Sequence, residues 1–211
     1  MEEQEKKPRE FWFTLFRKGE ERPLWHPELE IVFLMKGTGK IYFMDTKRMY
    51  TVREEDIFVI NSFEISNFEL EEDAIALSLF VSLRFAADVD PEFLQYPVNC
   101  RSYFHSDGKQ ERFDRLRREL ADTFQEQYKS RNVSLYSKSK VIAVLEELSR
   151  YFSKKDQILD RRSRFESIRA VVNYVQMHYK ENITLENLAQ HTYLSKTYIS
   201  RSFTKYFGVC F

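Results

Sequence analysis

The residues best suited to chemistry with a polymer lie near the end of the chain, in the stretch Lys196–Phe207. At about 100° per residue, Ile199, Phe203, Tyr206 and Phe207 share one side of a helix. Thr197, Ser200, Arg201, Thr204 and Lys205 fall on the other, with Lys196 in the first turn. The outward face is therefore hydroxyls and cations, and no acid occurs on the helix. Solvated helix faces commonly mix Glu with Lys, whereas base edges and phosphates call for this selection. Arg grips guanine bidentately, Ser and Thr bond to either edge, and Lys neutralises phosphate.

The preceding residues supply a support for such a helix. Thr184 is a good N-cap for a short helix, Leu185–Gln190, with Glu186 in its first turn where the helix dipole favours an acid. Leu188 and the small Ala189 face inward, His191-Thr192-Tyr193 reads as the turn, Leu194 as its apolar anchor, and Ser195 as the next cap. Upstream, Phe165, Ile168, Val172, Val175 and Tyr179 recur at helical spacing. Short helix, tight turn and acid-free helix make a helix-turn-helix for a major groove. Charge agrees: residues 162–211 hold seven Lys or Arg against three acids, in a chain whose 33 basic and 33 acidic residues balance.

Towards the N-terminus the period changes to that of strands. Glu30–Met35 and Gly39–Met44 flank Lys36-Gly37-Thr38, which reads as a hairpin turn. Asp56–Ile60 and Ala74–Leu83 are further apolar, branched runs, and together they predict an antiparallel sandwich or small barrel. Pro91 and Pro97 punctuate the exit. Two amphipathic helices follow, one on Phe113, Leu116, Leu120, Phe124 and Tyr128, the other on Val141, Val144, Leu145, Leu148 and Phe152, broken at Ser130-Arg131-Asn132. Their stripes either cover the sheet or pair with a second subunit. Ser153–Arg164 is highly charged and reads as a linker.

The stretch from Ile183 to Phe211 resembles the AraC/XylS family of bacterial regulators, at Leu185, Leu188-Ala189, Leu194-Ser195, Tyr198-Ile199, Arg201, Phe203 and Phe207-Gly208 followed by Phe211. It looks like the first of that family's two helix-turn-helix motifs. The resemblance implies that Thr197, Ser200 and Arg201 read bases, with Lys196 and Lys205 nearer phosphate. It also implies a connecting helix and a second motif beyond Phe211, so the expectation is a reader truncated within its DNA-binding domain. PLWHPELEIVFLMKGTG and VREEDIFVINSFEIS resemble the two cupin motifs common in that family's sensors. Of the four cupin metal ligands, His26 and Glu30 remain; Leu24 and Ser66 stand at the other two positions, and Glu55-Asp56 stands for the usual Gly-Asp. Two ligands hold a divalent ion poorly, so no metal or cofactor is expected.

The fold expected is α+β: a cupin-like β-barrel (double-stranded β-helix) over 1–98, a dimerising helical hairpin and linker over 99–160, and a partial reader over 161–211. His26, Glu28, Glu30, Trp25 and Tyr42 are the candidate residues for a small polar effector such as a sugar. His105 and His178 receive no role. Cys100 and Cys210 lack paired spacing and read as free thiols. The charged N-terminus lacks a signal sequence, and no apolar run approaches the roughly 20 residues of a membrane span, so a cytoplasmic protein is expected. The expected partners are double-stranded DNA, the effector, a second copy and RNA polymerase. A dimerisation module that no longer reads specific DNA is the alternative, and a cupin-type enzyme a third reading. No nucleophile–base pair or phosphate-cradling loop supports catalysis.

Overall fold

The computed structural model describes residues 9–20, 25–43, 46–62, 64–94, 96–104, 108–130, 133–153, 170–171, 174–175, 178 and 181–207. Two compact units divide the chain, Met1–Gln157 and Ile158–Phe211.

Among the described residues, seven strands build the first unit: β1 (Phe11–Arg17), β2 (Leu29–Lys36), β3 (Thr38–Phe43), β4 (Arg48–Arg53), β5 (Ile57–Ile60), β6 (Ser66–Leu70) and β7 (Ile75–Val81). One sheet has the order β1-β7-β2-β5 and the other β4-β3-β6, with antiparallel neighbours throughout. Strand alternation sorts the side chains of β2 into two cores. Leu29, Ile31 and Phe33 join the layer under the helices, while Val32 and Leu34 point between the sheets. The second set packs with Ile41 and Phe43 of β3, Val52 of β4, Phe58 and Ile60 of β5, Phe68 of β6 and Ala76 of β7.

The chain does not turn back on itself at Gly37. β2 pairs with β5 and β7, whereas β3 pairs with β4 and β6, so the expected Lys36–Thr38 hairpin is instead a corner from one sheet to the other. Gly37 makes that corner possible: its φ is +81°, and a β-carbon there would stand 2.8 Å from the Ala74 Cα. Two apolar runs around a glycine look alike in sequence whether they pair with each other or with distant strands.

After β7, Ser82 caps a short helix that the sequence pattern did not announce, α1 (Leu83–Val89), its hydroxyl accepting from the Phe85 N–H at 3.3 Å. The hairpin helices are α2 (Gln110–Ser130) and α3 (Leu135–Phe152). Ser130 still belongs to α2; Arg131 and Asn132 lie outside the described residues. Ser134 starts α3 with a reciprocal cap, accepting from Ser137 N–H at 3.0 Å while Ser137 Oγ accepts from its own N–H at 2.9 Å. The α3 stripe and the first three residues of the α2 stripe are spent on the sheet, whereas Phe124 is half-buried and Tyr128 is exposed. Phe113, Leu116 and Leu120 of α2 and Val141, Val144, Leu145, Leu148 and Phe152 of α3 are buried with Phe11, Ile31, Ile57 and Leu79. Ser153 bridges to Val98; the rest of the charged stretch to Arg164 lies outside the described residues, as do Phe165, Ile168, Val172 and Tyr179. In the second unit, Ala170, Val171, Tyr174, Val175 and His178 are helical, and α4 (Leu185–Thr192) and α5 (Lys196–Phe207) follow. Among the described residues no helix is long and apolar enough to cross a membrane.

The corner at Gly37 gives a direct test. Gly19 also has positive φ, +79°, but nothing lies within 4 Å of its would-be β-carbon. Gly19→Ala then carries conformational strain alone, about 1 kcal/mol, and Gly37→Ala adds the collision with Ala74, about 2–4 kcal/mol in total. Urea unfolding of the two variants should separate them in that order.

Candidate nucleic-acid interface and buried polar site

The helix-turn-helix is held by three side chains with no exposed surface, Val171, Leu188 and Ile199, and around them pack Tyr174, Val175, Ile183, Leu185, Ala189 and Leu194. Thr184 caps α4 as its sequence position predicts. Its hydroxyl accepts from Asn187 N–H at 3.2 Å, and Asn187 Oδ1 accepts from Thr184 N–H at 3.1 Å. The helix then runs two residues further than expected. His191 and Thr192 are its last turn, with Thr192 Oγ1 donating to Leu188 O at 2.6 Å, and only Tyr193 turns out of it. Ser195 starts α5 by accepting from Tyr198 N–H at 3.2 Å.

On α5, Lys196, Thr197, Arg201 and Thr204 are exposed, Ser200 is half-buried and Ile199 is buried, the split read from the sequence. Thr204 donates to Ser200 O at 3.1 Å, which leaves its oxygen facing outward. The side chain of Lys205 lies outside the described residues, as do those of Phe203, Tyr206 and Phe207. Arg201 makes no ion pair among the described residues. Lys196 does: its ammonium bonds the carboxylate of Glu186 across the turn, and this partner holds the Glu186 carboxyl below its ordinary range. The sequence placed Glu186 at the dipole of α4 and Lys196 at phosphate; the ion pair joins the two roles. Sequence reasoning also missed an aromatic stack. The Tyr174 ring lies 4.3 Å from that of His178 and 4.7 Å from that of His191, both nearly parallel to it, and His178 Nδ1 meets Glu181 Oε1 at 3.0 Å. His178 therefore has partners that its isolated position in the sequence did not suggest.

The first unit holds a second polar constellation. Glu30 belongs to the face of β2 that points between the sheets and is 1% exposed. Its Oε2 meets His26 Nε2 at 3.0 Å, and its Oε1 accepts from Ser78 Oγ at 2.5 Å. His26 Nδ1 lies 3.1 Å from the Glu28 carbonyl oxygen and 3.8 Å from the Glu28 carboxylate. Each imidazole nitrogen thus faces a glutamate oxygen, the side chain of Glu30 at Nε2 and the backbone carbonyl of Glu28 at Nδ1. The His26 ring stands edge-on to Phe80 at 5.1 Å, and Trp12 stacks on the same Phe80 at 5.3 Å. Ser78, Trp12 and Phe80 were not singled out in the sequence, although Ser78 interrupts an otherwise apolar strand.

The structure thus brings together three of the five expected effector residues, His26, Glu28 and Glu30. Trp25 adjoins His26 in the chain and is half-buried. Tyr42 stands apart from these residues. Its neighbours Ile41 and Phe43 point into the interior, so Tyr42 lies on the outer face of the second sheet, opposite exposed Met49 and Asn67. At the cupin-like positions, Ser66 is buried on β6 and Glu55 has φ +70°, the conformation that suits the usual glycine. Asp56 accepts from Arg53 N–H at 2.7 Å and Ser102 Oγ at 2.6 Å, so it holds a turn. No group of three or more His, Cys, Asp or Glu is arranged to hold a metal among the described residues. Cys100 is wholly buried, which pushes its thiol well above the ordinary value and leaves it a packing residue.

No family model matches the chain. An uncharacterized HTH-type transcriptional regulator of Staphylococcus aureus strain COL is 26% identical over 186 residues, which make up 87% of this chain and 24% of that protein. The chain thus spans about a quarter of the length of the curated relatives it matches. Among solved structures, ToxT from Vibrio cholerae O395 aligns with 95% of this chain and 75% of its own, at 12% identity and a TM-score of 0.56. The AraC-like transcriptional activator CuxR aligns with 84% of this chain and 61% of its own, at 12% identity and a TM-score of 0.47.

The buried constellation makes a measurable contribution to stability. Glu30→Ala leaves the Ser78 hydroxyl and one His26 nitrogen buried without an acceptor, which should cost about 2–5 kcal/mol. Glu30→Gln keeps one acceptor and should cost less than half as much. Equal losses in chemical denaturation would mean that the carboxylate acts only by filling space.

Proposed function

We propose that this chain, which is similar to an HTH-type transcriptional regulator, is an AraC-type sequence that forms the cupin-like sensor and the first reading motif of a ligand-responsive transcription regulator. The observation that carries the proposal is the exposed face of α5. Lys196, Thr197, Arg201 and Thr204 stand outward on a helix with no acid, while Ile199 anchors the opposite side in a dry core. An ordinary solvated helix has no use for that selection, and a major groove does. Arg201 reads a guanine, Thr197 and Ser200 contact neighbouring edges, and Lys196, Thr204 and Lys205 approach phosphates.

The effector is small and polar, of the sugar class. His26, Glu28 and Glu30 supply its hydrogen bonds, and Trp25 supplies a flat apolar wall. Its binding shifts the balance between two states of the regulator in proportion to its preference for one of them. Two copies pair through the hairpin. Because most of both stripes is used on the sheet, this pairing falls to what remains exposed, Tyr128 of α2 and Leu135, Tyr136 and Ile142 of α3. A full regulator of this type acts in the cytoplasm on promoter DNA, as an activator that meets RNA polymerase, and performs no catalysis.

Three measurements test this reading. In a longer form carrying a second helix-turn-helix, Arg201→Ala should remove the preference for one base pair at a cost of about 1–3 kcal/mol; unchanged specificity in a footprint would sink the assignment of the face. Glu186→Gln releases Lys196 from its carboxylate, so affinity for duplex DNA at low salt should rise roughly three- to fivefold. Sedimentation at increasing concentration should show a monomer–dimer equilibrium that Tyr136→Glu abolishes, and a monomer at every concentration would count against pairing.

A further inference from the structure

The turn between α4 and α5 carries a residue that neither its backbone nor its packing explains. Tyr193 closes α4 in the left-handed region, at φ 56° and ψ 27°. That region disfavours any residue with a β-carbon, so glycine, and next asparagine, ends most helices that stop this way. A tyrosine there would be understandable if its ring filled the core. The ring is instead 95% exposed, and Leu194 after it is the residue that packs against Val171, Leu188 and Ile199. Glycine would serve the fold better, and a strained, fully solvated aromatic points to a use outside the chain.

The surroundings indicate what that use is. Ser195, Lys196 and Thr197 continue the exposed run directly after the turn. No acid occurs between Tyr193 and Phe207, and the nearby Glu186 already bonds Lys196. A phenol in this setting offers one O–H donor on a rigid arm, beside a surface that favours anions. Phosphate oxygen is the acceptor that fits. We propose that Tyr193 is a backbone-contacting residue of the DNA interface, donating its hydroxyl to a phosphate at the edge of the groove that α5 enters. The inference rests on the DNA-reading assignment above and extends it to a residue off the reading helix. Phosphates carry no sequence, so the contact adds affinity equally to every duplex.

The test compares Tyr193→Gly and Tyr193→Phe in the whole chain, by thermal unfolding and by fluorescence anisotropy on two unrelated short duplexes at low salt. Tyr193→Gly should melt at or above the wild-type temperature, because it relieves the backbone. Both variants should bind about tenfold more weakly, by the same factor on both duplexes. Wild-type affinity in either variant would overturn the contact. Full affinity in Tyr193→Phe alone would mean that the ring and not its hydroxyl is used, as on a protein partner. A lower melting temperature in Tyr193→Gly would return the residue to a structural role. If the wild type itself binds neither duplex, the DNA-reading assignment falls, and this inference with it.

Discussion

Strand β2 is covered on both faces, and the rest of the first unit follows from that requirement. Its Leu29, Ile31 and Phe33 need a lid on one side, which the hairpin of α2 and α3 provides. Its Val32 and Leu34 need one on the other, and the β4-β3-β6 sheet provides that. A chain that continues straight from β2 must therefore leave its own sheet at once to build the second layer. Gly37 does this within a single residue, pressed so closely on Ala74 that no side chain fits. An antiparallel sheet with a solvated outer face would have left the helical stripes free. Here most of them are consumed, and of the two stripes Tyr128 at the end of α2 stays exposed.

The same two-sided burial makes Glu30 costly. It occupies a β2 position facing the interior, where an unpaired carboxylate would be driven to take up a proton. His26 and Ser78 bind both of its oxygens, drawn from the approach to β2 and from β7. Removing that set for an apolar trio of similar volume would often be neutral for stability. A network in which both imidazole nitrogens face glutamate oxygens is also sensitive to any new donor that enters it.

How far the chain could be read from its letters depended on where the information lay. The bounds of α5 matched because a cap, a helical period and an acid-free face all lie within a dozen consecutive residues. β5 and β7 were likewise legible as short branched runs, and His26 and Glu30 through the resemblance to a cupin motif. The Gly37 corner was not, since a hairpin and a sheet-to-sheet crossing share the same local pattern and differ only in distant partners. The face that Tyr42 takes on β3 was hidden for the same reason, since that crossing sets it. Ser78 was hidden in an apolar strand, and the Lys196–Glu186 pair spans a turn whose geometry the letters do not contain. α1 had signals that went unused, a serine cap before it and Pro91 after it.

Under the DNA-reading proposal, the electrostatics of α5 account for how so modest a charge excess can serve. In the free state Lys196 is held by Glu186, so the surface presents Arg201 and hydroxyls rather than a block of unbalanced cations. The depressed Glu186 carboxyl means that this pair supports the free fold above the ordinary carboxylate range and is lost as pH falls through the lowered value. Being fully exposed, it contributes little to stability. Under the same proposal its larger effect would be on binding, because a phosphate would have to displace a carboxylate already in place before Lys196 contributed. Indiscriminate attraction to any polyanion would thereby be reduced, while Arg201, with no such partner among the described residues, would keep its full capacity for a base edge. A reader so arranged would trade non-specific affinity for discrimination, and would gain most from a second motif on the same duplex that supplied the affinity the first one holds back.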